Sequence, residues 1–172
     1  MVDFRAVYFN RTEDEAIIFN NLNAAPWGIY ANSSETIKVS GVEADITLRP
    51  IQKVKFNVGY TYTDKSADVD YIPSNKLVAN VEYYPTQNTF VSLMYKNVGN
   101  RFARYYDSVT FSTVETNLPK YNLFDLNANY KLLDDTVTFF ASVTNILDED
   151  YDDILGFSTR GRNYKVGVRL QF

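Results

Sequence analysis

Apolar and polar residues alternate along most of this chain with a period of two. The last nine residues show it without a break. Tyr164, Val166, Val168, Leu170 and Phe172 fall on one side; Lys165, Gly167, Arg169 and Gln171 fall on the other. Successive side chains of an extended strand point to opposite faces, so this segment is predicted to be a two-faced strand. The same pattern recurs upstream. Val2, Phe4, Ala6 and Tyr8 open a first strand, and a second covers about residues 35–49. Lys53 to Tyr62 form the third, Lys76 to Tyr83 the fourth, and Val91 to Tyr95 begin a fifth that extends toward Arg104. Phe124 to Leu132, Val137 to Thr144 and the terminal segment complete eight strands, with no stretch of helical period between them. In the second strand the apolar phase changes beside Ser40-Gly41, from Ile37 and Val39 to Val42, Ala44, Ile46 and Leu48, which predicts a β-bulge there.

The connections alternate in length. Those at Pro50, at Pro85 and at residues 134–135 are short, whereas residues 10–34, 63–73, 105–119 and 148–160 are long and polar. In an up-and-down antiparallel sheet all short turns then lie at one end and all long loops at the other, as in outer-membrane barrels. A soluble barrel with its apolar face turned inward is the alternative. Three features favour lipid. The strands approach the ~9–11 residues of a tilted membrane strand. Tyr and Phe recur near strand ends (Tyr8, Tyr60, Tyr62, Tyr83, Tyr84, Tyr95, Tyr121, Tyr130, Phe172), as interfacial girdles do. The loops are one-sided.

Composition narrows the function. The chain has 172 residues, 14 of them Tyr and 12 Phe, and contains no Cys and no His. Thiolate and imidazole chemistry, disulfides and His- or Cys-ligated metals are therefore out of reach. A hydrolase would have only carboxylates as bases, and no spacing selects a dyad, so no enzyme and no cofactor are expected. The net charge of −4 and the lack of a basic tract argue against nucleic acid. The mixed charges of the polar face (Asp3, Arg5, Glu43, Asp45, Arg49, Lys53, Lys55, Lys76, Glu82, Asp125, Lys131, Lys165, Arg169) read as a solvated lumen wall whose strands pair by charge. Asp148, Asp150 and Asp152 have the start of a calcium-loop spacing. Asp153 and Thr159 stand where such a loop needs Gly and Glu, so no metal is expected beyond a looser calcium site.

The C-terminal third resembles that of TonB-dependent outer-membrane receptors. Thr144-Asn145-Ile146-Leu147-Asp148-Glu149-Asp150-Tyr151 is similar to their N-L-F-D-x-x-Y, with Ile146 and Leu147 at the L-F positions. Gly156-Phe157 through Gly161-Arg162 is similar to their G-Y-x-x-x-G-R, with Phe157 replacing Tyr. Upstream, Tyr30-Ala31-Asn32, Ser40-Gly41-Val42-Glu43 and Tyr60-Thr61-Tyr62-Thr63 also resemble family segments. The resemblance implies a bacterial outer-membrane protein that imports a scarce nutrient, cobalamin or a ferric siderophore, with energy delivered through TonB. It implies that Lys165, Gly167, Leu170 and Phe172 form the signal read by the barrel-assembly machinery. Whole receptors have about 22 strands around a plug. Residues 1–172 are therefore expected to be the last eight strands of such a barrel, without the plug and without the segments that touch TonB. The alternative is a stand-alone eight-stranded barrel with a structural or adhesive role. Cargo, if bound, should meet the long loops at Trp27, Tyr30, Tyr105, Tyr106, Phe157 and Arg160.

Overall fold

In a computed structural model, residues 1–20, 29–133 and 136–171 are described. The chain is all β, with no helix among those residues. Its strands are β1 (Val2–Glu13), β2 (Ile17–Asn20), β3 (Ile29–Asn32), β4 (Ile37–Ile51), β5 (Val54–Lys65), β6 (Asn75–Thr86), β7 (Thr89–Val98), β8 (Arg101–Asp107), β9 (Ser112–Leu118), β10 (Tyr121–Leu132), β11 (Val137–Thr144) and β12 (Asn163–Leu170). One antiparallel sheet of eight strands runs in the order β1-β4-β5-β6-β7-β10-β11-β12. It does not close: among the described residues β1 and β12 each pair on one side only.

Register turns the period-two pattern into two continuous faces. One row crosses all eight strands as Val2, Leu48, Phe56, Val81, Leu93, Leu126, Val143 and Tyr164. A row on the opposite face reads Lys55, Glu82, Ser92, Asn127, Ser142 and Lys165. The apolar face is bare. Few large apolar side chains are buried, and of these Val98, Leu118 and Tyr121 cluster with Ala103 where β7 and β10 meet the loops. A chain with this much uncovered apolar surface needs a solvent that is itself apolar, and a bilayer supplies one.

The polar face is held by its own groups. Glu82 accepts from Lys55 Nζ at 3.1 Å, Asn57 Nδ2 at 3.1 Å, Asn80 Nδ2 at 3.2 Å and the Tyr84 hydroxyl at 2.9 Å. Arg5 meets Asp45 at 3.1 Å across β1 and β4. Aromatic rings crowd against glycines on this face. A Cβ on Gly167 would stand 2.3 Å from Cζ of Phe140, and one on Gly41 would stand 2.6 Å from Cζ of Phe9.

Several sequence expectations change. No bulge occurs at Ser40-Gly41, where β4 stays in register with both neighbours. The apolar phase changes there because Val39 turns toward the lumen side and is buried near the loops. The register shifts instead lie between Leu48 and Ile51 and between Tyr83 and Thr86. Each spans a proline, Pro50 or Pro85, whose missing N–H cannot continue the ladder. The fifth strand does not run on to Arg104; it ends at Val98, and β8 turns away to pair with β9. The first strand reaches Glu13, and part of the following loop is the hairpin β2–β3. Tyr84 and Tyr121 leave the expected girdle: both sit on the lumen face and bond to Glu82 and Asp153.

Replacing Gly167 by Val should cost about 1–3 kcal/mol by driving a branched side chain into the Phe140 ring. Urea unfolding in detergent micelles should show the loss, and adding Phe140→Ala should restore most of it.

Candidate functional site: the loop end of the sheet

The long connections gather at one end and are built as structures of their own. β8 and β9 form a seven-residue ladder from Arg101↔Leu118 to Asp107↔Ser112. At its tip the Asp107 carboxylate accepts from the Val109 N–H and the Thr110 hydroxyl, each at 2.8 Å, and these bonds hold it below the usual carboxylate range. Val109 and Phe111 beside it are 83% and 77% exposed.

The connection between β11 and β12 folds around Asn145. This residue is buried and takes a positive φ of 52°, which Asn tolerates better than most side chains. Its N–H donates to Asp125 Oδ1 at 2.8 Å, while its side-chain amide exchanges two hydrogen bonds with the Glu149 backbone at 2.8 and 2.9 Å. Asp148 accepts from the Arg162 N–H at 2.7 Å, and Gly161 passes so close to that carboxylate that a Cβ would stand 2.8 Å from its Oδ1. The Thr159 hydroxyl donates to the Tyr151 carbonyl at 2.5 Å. The residues that carry the family resemblance are thus the fasteners of one loop.

Arg101 joins this loop to the hairpin. Only 3% exposed, it donates to the Asp153 carboxylate and carbonyl at 3.1 Å each and to the Asp152 carbonyl at 2.7 Å. Its guanidinium stacks 4.9 Å from the centre of the Tyr121 ring, whose hydroxyl donates to the same Asp153 oxygen at 2.9 Å. The Tyr151 ring packs against Tyr121 at 4.3 Å; burial, reinforced by Asp153 and Asp125, pushes its hydroxyl above the ordinary tyrosine range. On the other side of the hairpin Arg104 faces Glu115 at 3.4 Å and Asp70 at 4.0 Å, and burial raises the Asp70 carboxyl.

The residues expected to meet cargo lie on separate loops. Phe157 and Arg160 are exposed on the β11–β12 connection, and Tyr105 is exposed on β8 opposite Val114. Tyr30 and Tyr106 are described by backbone pairing alone, with Phe19 and Thr113. Trp27 lies outside the described residues, as does Phe172 of the expected assembly signal. Lys165, Gly167 and Leu170 lie on β12, the first two facing the lumen and Leu170 facing outward. Asp148 is committed to Arg162, and no group of three or more carboxylates gathers for a metal ion among the described residues. Arg101, Tyr121 and Asp153 were missed by the sequence reading. Nothing in the local pattern of Asn100-Arg101-Phe102 points to a partner 52 positions away.

Comparison with known proteins agrees with this architecture. Residues 2–146 match the family model described as TonB dependent receptor-like, beta-barrel. The chain is 26% identical over 121 residues to a vitamin B12 transporter, BtuB, of Vibrio cholerae, covering 70% of this chain and 14% of that protein. Among solved structures, the ferripyoverdine receptor of the outer membrane of Pseudomonas aeruginosa superposes with a TM-score of 0.77 at 21% identity, over 99% of this chain and 25% of that one. The siderophore receptor PirA of Acinetobacter baumannii gives 0.78 at 16% identity, over 99% and 30%. At those identities the likeness is one of fold. The chain spans about a seventh of the curated relatives it matches. The family is one of bacterial outer-membrane transporters rather than enzymes.

Arg101→Met and Asn145→Ala should each cost about 1–3 kcal/mol, because each removes several hydrogen bonds made by a buried side chain. Limited proteolysis should show cutting within residues 145–162 many-fold faster than in the parent while the strands stay protected.

Proposed function

The chain belongs to the TonB-dependent receptor β-barrel family, and on that premise we propose that it is the closing run of eight strands in the wall of an outer-membrane nutrient transporter. The observation that carries this reading is the open sheet. β1 and β12 are both unpaired on their outer edges, and such edges are not left bare in a bilayer. The rest of the wall and the plug belong to other parts of the protein, as do the segments that contact TonB. This chain's share of the work is passive: an apolar face toward lipid, a polar face toward the lumen, and loops toward the outside. Lys165, Gly167, Leu170 and Phe172 serve as the assembly signal, and the barrel-assembly machinery is their partner.

The cargo is a small scarce nutrient of the cobalamin or ferric siderophore class. Support comes from a vitamin B12 transporter among the relatives and siderophore receptors among the structures of like fold. Trp27, Tyr30, Tyr105, Tyr106, Phe157 and Arg160 are the side chains proposed to meet it. Aromatic faces and a guanidinium suit a flat, anionic or metal-chelating ligand.

Two measurements check the proposal. Expressed alone and refolded in detergent, residues 1–172 should not give a compact monomer that resists SDS until boiled; such a monomer would establish the stand-alone barrel instead. In the whole receptor, Trp27→Ala with Tyr105→Ala should weaken cargo binding about tenfold, within the range of aromatic anchors. Unchanged affinity would remove these loops from the binding site.

A further inference from the structure

The two edges of the sheet differ in charge, and the difference describes what lies beside one of them. Every charge on β1 is already paired within the chain: Asp3 with Arg49, Arg5 with Asp45, and Arg11 with Glu13. β12 is the reverse. Its lumen face carries Lys165 and Arg169, and no ion pair among the described residues involves either of them. The strand they do pair with offers nothing acidic, since the lumen-facing residues of β11 are Thr138, Phe140, Ser142 and Thr144. Lys165 Nζ rests instead 5.6 Å from the centre of the Phe140 ring. These two cations line a recess of about 990 Å³ on the lumen face near the short turns, and among the described residues no carboxylate takes part in its lining. The outward face of β12 is equally unfinished: Val166 is 81% exposed, against 42% for Leu93 on the interior strand β7.

We propose that the free edge of β12 receives a strand of fixed chemistry from outside residues 1–172, with two carboxylates four residues apart on its lumen side. Its other side is apolar, continuing the rows of Val166 and Val168. Lys165 and Arg169 are themselves four apart on one face, so carboxylates at that spacing would stand opposite both in an antiparallel pair. Directly opposed unlike charges stabilise such a pair, whereas like charges oppose it. β1 is the wrong neighbour. Its carboxylates are engaged with Arg49 and Arg11, and its Arg5 would add a further cation to the seam. The inference rests on the wall-segment reading above and goes further, because it specifies the partner strand.

The test uses the whole receptor, folded in its membrane, with a benzophenone amino acid at Val166. Irradiation and mass spectrometry of the cross-linked peptides identify the neighbouring strand. The expected product joins β12 to a strand outside residues 1–172 of the same molecule that has two carboxylates on its lumen side at that spacing. A cross-link to residues 2–13 would overturn both this inference and the wall-segment reading. A cross-link to an outside strand without those carboxylates would overturn the inference alone. A second measurement stands apart from the cross-link. Lys165→Glu with Arg169→Glu should lower the heat-modifiable folded fraction about threefold, as loss of two exposed pairs predicts. Reversing the two partner carboxylates to Lys should restore it. A double reversal without effect overturns the charge complementarity.

Discussion

The structure depends on one constraint: within a bilayer no water is present to satisfy backbone N–H and C=O groups. No helix among the described residues is long and apolar enough to cross a membrane, and the chain meets that condition by pairing strand with strand. The antiparallel ladders from β1 to β12 do so continuously, and what interruptions they have fall at Pro50 and Pro85, beside the short turns. Those positions lie at the sheet's end, where water can take the unpaired groups. Side-chain pattern follows from the same requirement, because once the backbone is extended the two faces can be given to two different solvents. The chain therefore stabilises no conventional core. Among the described residues most of the buried apolar side chains gather around Ala103, Leu118 and Tyr121, at the loop end where the sheet leaves the membrane.

That is why the sheet was so legible in the sequence and the loop end was not. Period two is a local signal, and eight stretches of it set strand identity, facing and the grouping of turns. The errors arose where a residue answers to something outside its own strand. Val39 broke the phase because it is buried on the polar face, beside Arg11 and Lys65 of the neighbouring strands, and such burial is tertiary. Tyr84 and Tyr121 counted as girdle residues by position along the strand, yet their parity puts them on the lumen face. Reading parity strictly would have removed both. The hairpin β8–β9 hid inside a stretch rich in Thr and Ser whose alternation is weak, and Arg101 gave no local sign of its distant partners.

Recognition and function also separate in this chain. The pattern that most resembles the family, from Asn145 to Arg162, resembles it for a mechanical reason. Asn145 must accept a left-handed backbone and use both ends of its amide; Asp148 must reach the Arg162 N–H past a glycine. Few residue types satisfy either demand, so the sequence there is narrow whatever the cargo. The side chains proposed to meet cargo carry no such demand. Phe157 and Tyr105 are exposed, and their surroundings permit many replacements. A motif that identifies the wall is for this reason silent about what passes through it.

The lumen face adds a last step. Its charges are not spread evenly, and the distribution bears on rigidity. Between β5 and β6 a single carboxylate, Glu82, collects four donors, with Lys55 among them and Thr47 bonded to Asn57 behind. Its side chain is only about 15% exposed, so removing it would leave several donors half-buried and unpaired. Across β10 and β11 the same height of wall carries Asn127, Asn129, Ser142 and Thr138, small neutral groups that water satisfies at little cost, before β12 adds Lys165 and Arg169. One side of this wall segment is thus tied strand to strand by its own side chains, and the other is left polar and open. Breaking the charge-assisted network of Glu82 costs far more than exchanging water between the neutral hydroxyls and amides of β10 and β11.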